Sequence, residues 1–259
     1  MHNGIQGEEL DNFLAENIAY LEQSADKFRN IECALFNQSR YSPVDNNHIN
    51  INYKTTIKTG QNQKTLSGEW KRFHNNKQCR IYRRELRPGL HEYRLHASFD
   101  DITAQQLFTT CTDVHHRKKW DSYVANLNVV DENVDASAQL IHWVTRCPKP
   151  FATRDYVYLR RHYFDERNGA FVAVQRTTSE TDIPIDPKVT RVDAFMSKTI
   201  VKAYPGKRID EPGCHYLIVY FDDPKMTVPA RVLDLAAAKG ATDSLKRMHK
   251  AAVSAPNDW

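Results

Sequence analysis

The sequence predicts an α+β domain, a curved antiparallel sheet closed over by one long C-terminal amphipathic helix. Three observations carry this. From Trp70 onward apolar and polar residues alternate in short runs, the period of strands with one buried face. The runs are joined by connections such as "RPG", "DERNG" and "YPGKRIDEPG", which favour antiparallel pairing over crossovers. Between Pro229 and Val253 the apolar positions Val232, Leu235, Ala236, Ala238, Ala241, Leu245, Met248 and Ala252 recur at helical spacing, with Lys239, Lys246, Arg247 and Lys250 mostly off that stripe.

Taken in chain order, Leu10, Leu14, Ile18, Leu21, Ala25, Phe28 and Leu35 make a helical stripe, so residues 1–36 are expected to hold an N-terminal amphipathic helix. Leu14, Leu21, Phe28 and Leu35 lie seven apart. That heptad spacing fits a helical partner or self-association through residues 8–36, and equally packing against the chain's own domain. Residues 37–67, rich in Asn, Ser, Thr, Gln and Lys, read as a polar linker. Residues 68–259 form the sheet-and-helix domain.

Within that domain "HEYRLHASF" puts His91, Tyr93, Leu95, Ala97 and Phe99 on one side of a strand. Further strands are expected at 79–86, 124–131, 138–146, 155–164, 170–177, 191–202 and 214–221. "DITAQQLFTTCTDVHHRKKWDSY" begins with the cap-like Thr103 and carries Leu107, Phe108, Cys111 and Val114 at helical spacing, which predicts two short helices. In the final helix Gly240 costs about 1 kcal/mol relative to Ala, marking a bend or a close approach.

Composition narrows the function classes. A hydrophobic share of 41% and a charged share of 26% are those of a globular protein. No apolar run is long enough to span a bilayer. The N-terminus is acidic and lacks both a signal-peptide core and an Arg-rich transit composition, so a soluble, cytoplasmic chain is expected. The five cysteines, 33, 79, 111, 147 and 214, are odd in number and form no CxxC pair, which predicts free thiols. The net charge of +4 is spread along the chain, which does not point to nucleic acid.

No phosphate-binding GxxxxGK[ST], dinucleotide GxGxxG or nucleophile-elbow GxSxG occurs. His115 and His116 lack further ligands at metal spacing, and Asp222 and Asp223 in "YFDDP" read as a turn after a strand. A non-enzymatic protein without metal or redox cofactor is expected. In "RKKWDSY", Arg117 and Asp121 stand four apart and share a helix face, with Trp120 turned away. On periodicity alone this is a solvated pair worth a few tenths of a kcal/mol.

Four segments change that reading. "HHRKKWDSYV", "IHWVTRCPKPFATRDYVYLRR", "VTRVDAFMSK" and "YFDDPKMTVPARVLDLAAAKG", in this order between Trp70 and His249, resemble the START lipid-transfer domain, and within it the phosphatidylcholine-transfer branch. The resemblance implies a helix-grip fold whose curved sheet and C-terminal helix enclose a lipid tunnel. By it, Arg117 matches the arginine that pairs with the lipid phosphate, and Asp121 matches its carboxylate neighbour. Trp143 and Tyr156 match two walls of the aromatic cage around choline. Phe195 stands where the branch has the third cage residue, a tyrosine, and Ser197 where it has a glutamine.

The ligand so implied is phosphatidylcholine or a related phospholipid, exchanged through transient contact with membrane surfaces, with mitochondrial membranes raised by the branch. The loops 147–154 and 178–188 match the tunnel mouth, where Lys149 and Phe151 are expected to meet the membrane. Alternatives are a carrier of phosphatidylethanolamine or ceramide, a lipid-sensing adaptor acting through its N-terminal helix, and an acyl-thioester hydrolase, for which no nucleophile and base stand out.

Overall fold

The computed structural model of the chain describes residues 69–133, 138–147, 152–166, 169–178, 182–223, 225 and 230–255. The helix expected over 1–36 and the linker over 37–67 lie outside the described residues.

Two meanders share one sheet. The first is β1 (Lys71–Asn75), β2 (Cys79–Arg87) and β3 (Leu90–Thr103). Helices α1 (Ala104–Thr112) and α2 (Val114–Trp120) then carry the chain to the opposite edge. There β4 (Val124–Asn133), β5 (Ala138–Thr145), β6 (Arg154–Asp165) and β7 (Ala170–Thr177) run as the second meander. After a short β8 (Thr190–Val192), β9 (Phe195–Ala203) and β10 (Pro212–Asp222) fill the middle, and α3 (Ala230–Val253) ends the described chain. The spatial order is β1-β2-β3-β10-β9-β7-β6-β5-β4, with β8 beside β6. Pairing along this path is antiparallel, and β10 closes the sheet by setting Ile218 opposite Leu95 on one side and Thr199 on the other.

The α+β class and the C-terminal helix agree with the sequence. The single strand expected over 191–202 is instead two, because the chain changes partners: β8 pairs parallel with β6, and β9 pairs antiparallel with β7 and β10. Thr177 holds the break, its hydroxyl donating to the Asp193 carbonyl at 3.0 Å and accepting from the Phe195 amide at 3.2 Å. β1 has no clear alternation in sequence and is set by its pairing with β2.

Local chemistry divides the two short helices. The Thr103 hydroxyl accepts from the Gln106 amide at 3.0 Å while the Gln106 side chain accepts from the Thr103 amide at 3.1 Å, a closed capping box. Asp113 is extended in backbone; it ends α1, and its carboxylate caps α2 by accepting from the amides of His115 and His116 at 2.7 and 2.9 Å.

The core lies between the concave face of the sheet, α1 and the later turns of α3. Ile102, Leu107 and Phe108 are fully buried with Val201 and Cys214, and Leu245, Met248 and Ala252 of α3 close over them. Phe108 stacks on Phe171 with centroids 5.0 Å apart, a contact worth about 0.5–1.5 kcal/mol beyond its area. A second cluster joins Val114, Leu127, Ile141, Tyr156, Tyr158 and Phe195 at the β4–β6 side. Cys79, Cys111, Cys147 and Cys214 are free thiols.

Three histidines make this packing sensitive to acid. Burial pushes the pKa of His96 down to about 3, and those of His162 and His215 down to about 4, each helped by a neighbouring cation. Below the unfolded value of about 6.5 the unfolded chain takes up protons that the native state refuses. Their stabilisation is therefore present above that value and is lost as pH falls toward 4. Urea unfolding should show a lower midpoint at pH 5 than at pH 7; equal midpoints would contradict this.

Candidate functional site

Between the concave sheet and α3 lies a cavity of about 590 Å³, within the range of sites that hold drug-sized or cofactor-sized ligands. Much of its wall is apolar, with Phe73, Ile81, Leu95 and Ile218 from the sheet side and Leu245 and Met248 from α3. The helix also presents Ala237, Gly240, Ala241 and Ser244. A Cβ built on Gly240 meets nothing within 4 Å. The close approach considered for Gly240 is therefore not found; the residue leaves room on the helix.

One stretch of wall, built by α2 and strands β5, β6, β9 and β10, is polar and aromatic. Arg117 faces the cavity, whereas Lys118 and Lys119 are exposed on the other side of α2. Its Nε donates to Asp121 Oδ2 at 3.2 Å. Asp121 is buried behind it rather than on the cavity wall, and its other oxygen accepts from the Tyr123 amide at 3.2 Å. This carboxylate therefore positions the guanidinium and offsets its charge. Trp120, expected to turn away, also lines the cavity, its Nε1 donating to the Thr110 carbonyl at 3.3 Å.

The guanidinium carbon of Arg117 lies 4.6 Å from the centroid of Trp143. Trp143 and Tyr156 are direct partners across β5 and β6, so their rings share a face and stack with centroids 4.7 Å apart. Phe195 meets Tyr156 edge-on at 5.4 Å and Tyr220 at 5.7 Å. The structure thus brings Arg117, Trp143, Tyr156 and Phe195 together on one wall. Ser197 is buried two residues along β9 and also lines the cavity; its register partners are Tyr220 on β10 and Gln175 on β7, both on the same wall.

Two charged residues on this wall escape the sequence reading. Asp222, taken there as part of a turn, is the last residue of β10 and sits opposite Phe195. It lines the cavity, and the Tyr156 hydroxyl donates to its Oδ2 at 2.9 Å. Burial pushes its pKa up, against the hydroxyls of Tyr156 and Tyr220, which pull it down. Arg154 is also buried on this wall, its guanidinium donating to the Ala152 carbonyl at 2.5 Å. "DDP" carries a strong local turn signal, and only the pairing of β10 with β9 shows that its first aspartate faces inward.

The rim is held by ion pairs. Arg83 of β2 pairs with Asp234 of α3, and Arg87 at the end of β2 pairs with Asp223. Lys149 and Phe151, expected to meet a membrane, lie outside the described residues. No group of His, Cys, Asp and Glu among the described residues is placed to hold a metal ion. Among those residues no helix is long and apolar enough to cross a membrane.

Comparison with known proteins places this geometry. The family model described as "START domain" matches residues 59–256. StAR-related lipid transfer protein 7, mitochondrial, of Mus musculus is 32% identical over 201 residues, which is 76% of this chain and 53% of that protein. The human protein of the same name is 33% identical over 73% of this chain and 50% of its own length. The chain thus spans about half the length of these curated relatives. Phosphatidylcholine transfer protein of Bos taurus is 30% identical over 190 residues, 72% of this chain and 85% of that protein. In fold, human STARD10 superposes with a TM-score of 0.62 at 20% identity, covering 71% of this chain and 73% of that one.

The Arg117–Asp121 pair yields a stability prediction that involves no ligand. Asp121→Ala leaves the guanidinium without its carboxylate. It should lower the unfolding free energy, by less than the about 3–5 kcal/mol of a fully buried pair because Arg117 borders the cavity. Adding Arg117→Ala should recover part of that loss in urea unfolding. Strictly additive losses would show that the two side chains are uncoupled.

Proposed function

The chain belongs to the START domain family, in its phosphatidylcholine-transfer branch, and on that premise we propose that it is a non-catalytic carrier of one phospholipid, phosphatidylcholine before others. The observation that carries this reading is the meeting of an inward guanidinium with an aromatic wall inside an otherwise apolar cavity. Arg117 offers bidentate hydrogen bonds to a phosphate, held in orientation by Asp121. Trp143 and Tyr156 offer ring faces to a quaternary ammonium, which has no N–H to donate. The apolar remainder shields acyl chains, each methylene of which costs about 0.8 kcal/mol when left in water.

The Arg117 guanidinium lies over the ring of Trp143. In this reading the incoming phosphate draws Arg117 off that ring, and the ammonium takes its place there. Phe195 keeps the ring but lacks the hydroxyl of the expected tyrosine. Beside Ser197, Gln175 supplies a side-chain amide on the same wall, so the polar contact foreseen at 197 has a neighbour able to replace it. A two-chain phospholipid exceeds the drug-sized ligands that such volumes hold. Loading therefore requires α3 to move away from the sheet, breaking the Arg83–Asp234 pair. The small residues of α3 give the chains room once inside. Mitochondrial membranes are proposed as those served, since relatives carry that designation.

Transfer of a fluorescent phosphatidylcholine between vesicles tests the reading. Arg117→Ala and Trp143→Ala should each slow transfer by roughly five- to thirty-fold, the equivalent of about 1–2 kcal/mol. Lys118→Ala and Lys119→Ala, on the exposed side of α2, should transfer at the wild-type rate. Unchanged transfer by Arg117→Ala would overturn the phosphate role, and preferential transfer of phosphatidylethanolamine or ceramide would reassign the cargo.

A further inference from the structure

We propose that Asp222 is the counter-ion of the ligand's cation, and that it makes the cavity select phospholipids with a positively charged headgroup nitrogen over anionic ones. The inference rests on reading the cavity as a phospholipid site and adds the group that sets headgroup charge.

Asp222 stands where such a cation would lie. It is paired across the sheet with Phe195, one of the rings of the aromatic wall, and accepts from the hydroxyl of Tyr156, which stacks on Trp143. The ring of Tyr220, which meets Phe195 edge-on, lies on the same wall. A phenol donating to a carboxylate favours its ionised form. The Tyr156 hydroxyl is therefore aimed at keeping the charge on Asp222 in a place where burial opposes it.

That charge has no ion-pair partner among the described residues. Arg154 is the nearest candidate by its electrostatic influence on Asp222, yet it forms no ion pair with it and turns its guanidinium to the Ala152 carbonyl. The neighbouring carboxylate, Asp223, points elsewhere and pairs with Arg87. Arg117, by contrast, already has Asp121 as its partner. A half-buried carboxylate left with one hydroxyl donor carries a desolvation cost, and a ligand cation on the adjoining rings relieves that cost.

The two ends of the wall then carry opposite signs. Arg117 is positive beside Trp143, and Asp222 is negative beside Tyr156, Phe195 and Tyr220. A zwitterionic headgroup meets both with favourable sign. A headgroup that carries phosphate but no nitrogen cation satisfies Arg117 and leaves Asp222 without an ion-pair partner. Rejection by an unmatched buried charge is an effective source of selectivity.

The test loads the full chain from vesicles containing equal amounts of phosphatidylcholine and phosphatidylglycerol, and quantifies the lipid extracted from the re-isolated protein. Wild type should prefer phosphatidylcholine by more than tenfold. Asp222→Asn, which keeps shape and hydrogen bonding but removes the charge, should narrow the preference to within about threefold. Asp223→Asn should leave it unchanged. Loading of Asp222→Asn with the wild-type preference would overturn the inference while leaving the carrier reading intact. Absence of phospholipid from the wild-type protein would overturn the carrier reading and this inference with it.

A second measurement uses only wild-type protein and so does not depend on how the variant folds. A phospholipid in which a tert-butyl group replaces the trimethylammonium has the same shape without the charge. It should load at least tenfold less than phosphatidylcholine, and equal loading would overturn the inference.

Discussion

The site depends on one guanidinium kept inside an apolar cavity. Taking a charge out of water is expensive, and a single unpaired arginine would either drag water in or swing out. Asp121, one helical turn on and buried behind Arg117, removes both outcomes. The residues that make this work are ordinary in composition. Asp113 starts α2 with its carboxylate, and the burial of Val114 turns one side of this seven-residue helix inward. Arg117 points inward, and Lys118 and Lys119 point to solvent.

The sheet supplies the complementary surface. β10 enters between β3 and β9 late in the chain, and this closure brings Tyr220 and Asp222 beside Phe195. The β5–β6 register brings Trp143 against Tyr156. Two pairs of strands from separate parts of the chain, β5–β6 and β9–β10, thus join α2 in one wall that carries rings and charges of both signs. The rest of the cavity has few polar demands, and α3 meets it with small side chains along much of its length. An amphipathic ligand with a compact charged head and long apolar tails is the chemistry that this division of labour matches.

Much of this is legible in the sequence. Alternation gave the strands, helical spacing gave α3, and the capping residue Thr103 placed the start of α1, because each of these signals is local. The inward direction of Arg117 was not available from spacing, since a solvated Arg117–Asp121 pair has the same periodicity; the family resemblance supplied it. Asp222 and Arg154 were missed for a different reason. Each sits next to residues with a strong local reading, a "DDP" turn and a strand start, and each acquires its place through strand pairing, Asp222 with Phe195 on β9 and Arg154 with β5 and β8. The split between β8 and β9 was hidden likewise, because the change of partner at Asp193 leaves little trace in the alternation.

The central claim is that this cavity holds a single phospholipid. Native mass spectrometry of the full chain, after incubation with vesicles containing phospholipids, ceramide and cholesterol together, tests it most directly. The account predicts one adduct per chain with the mass of a diacyl phospholipid. A ceramide or sterol adduct, or protein that remains bare in the presence of all three, would contradict it.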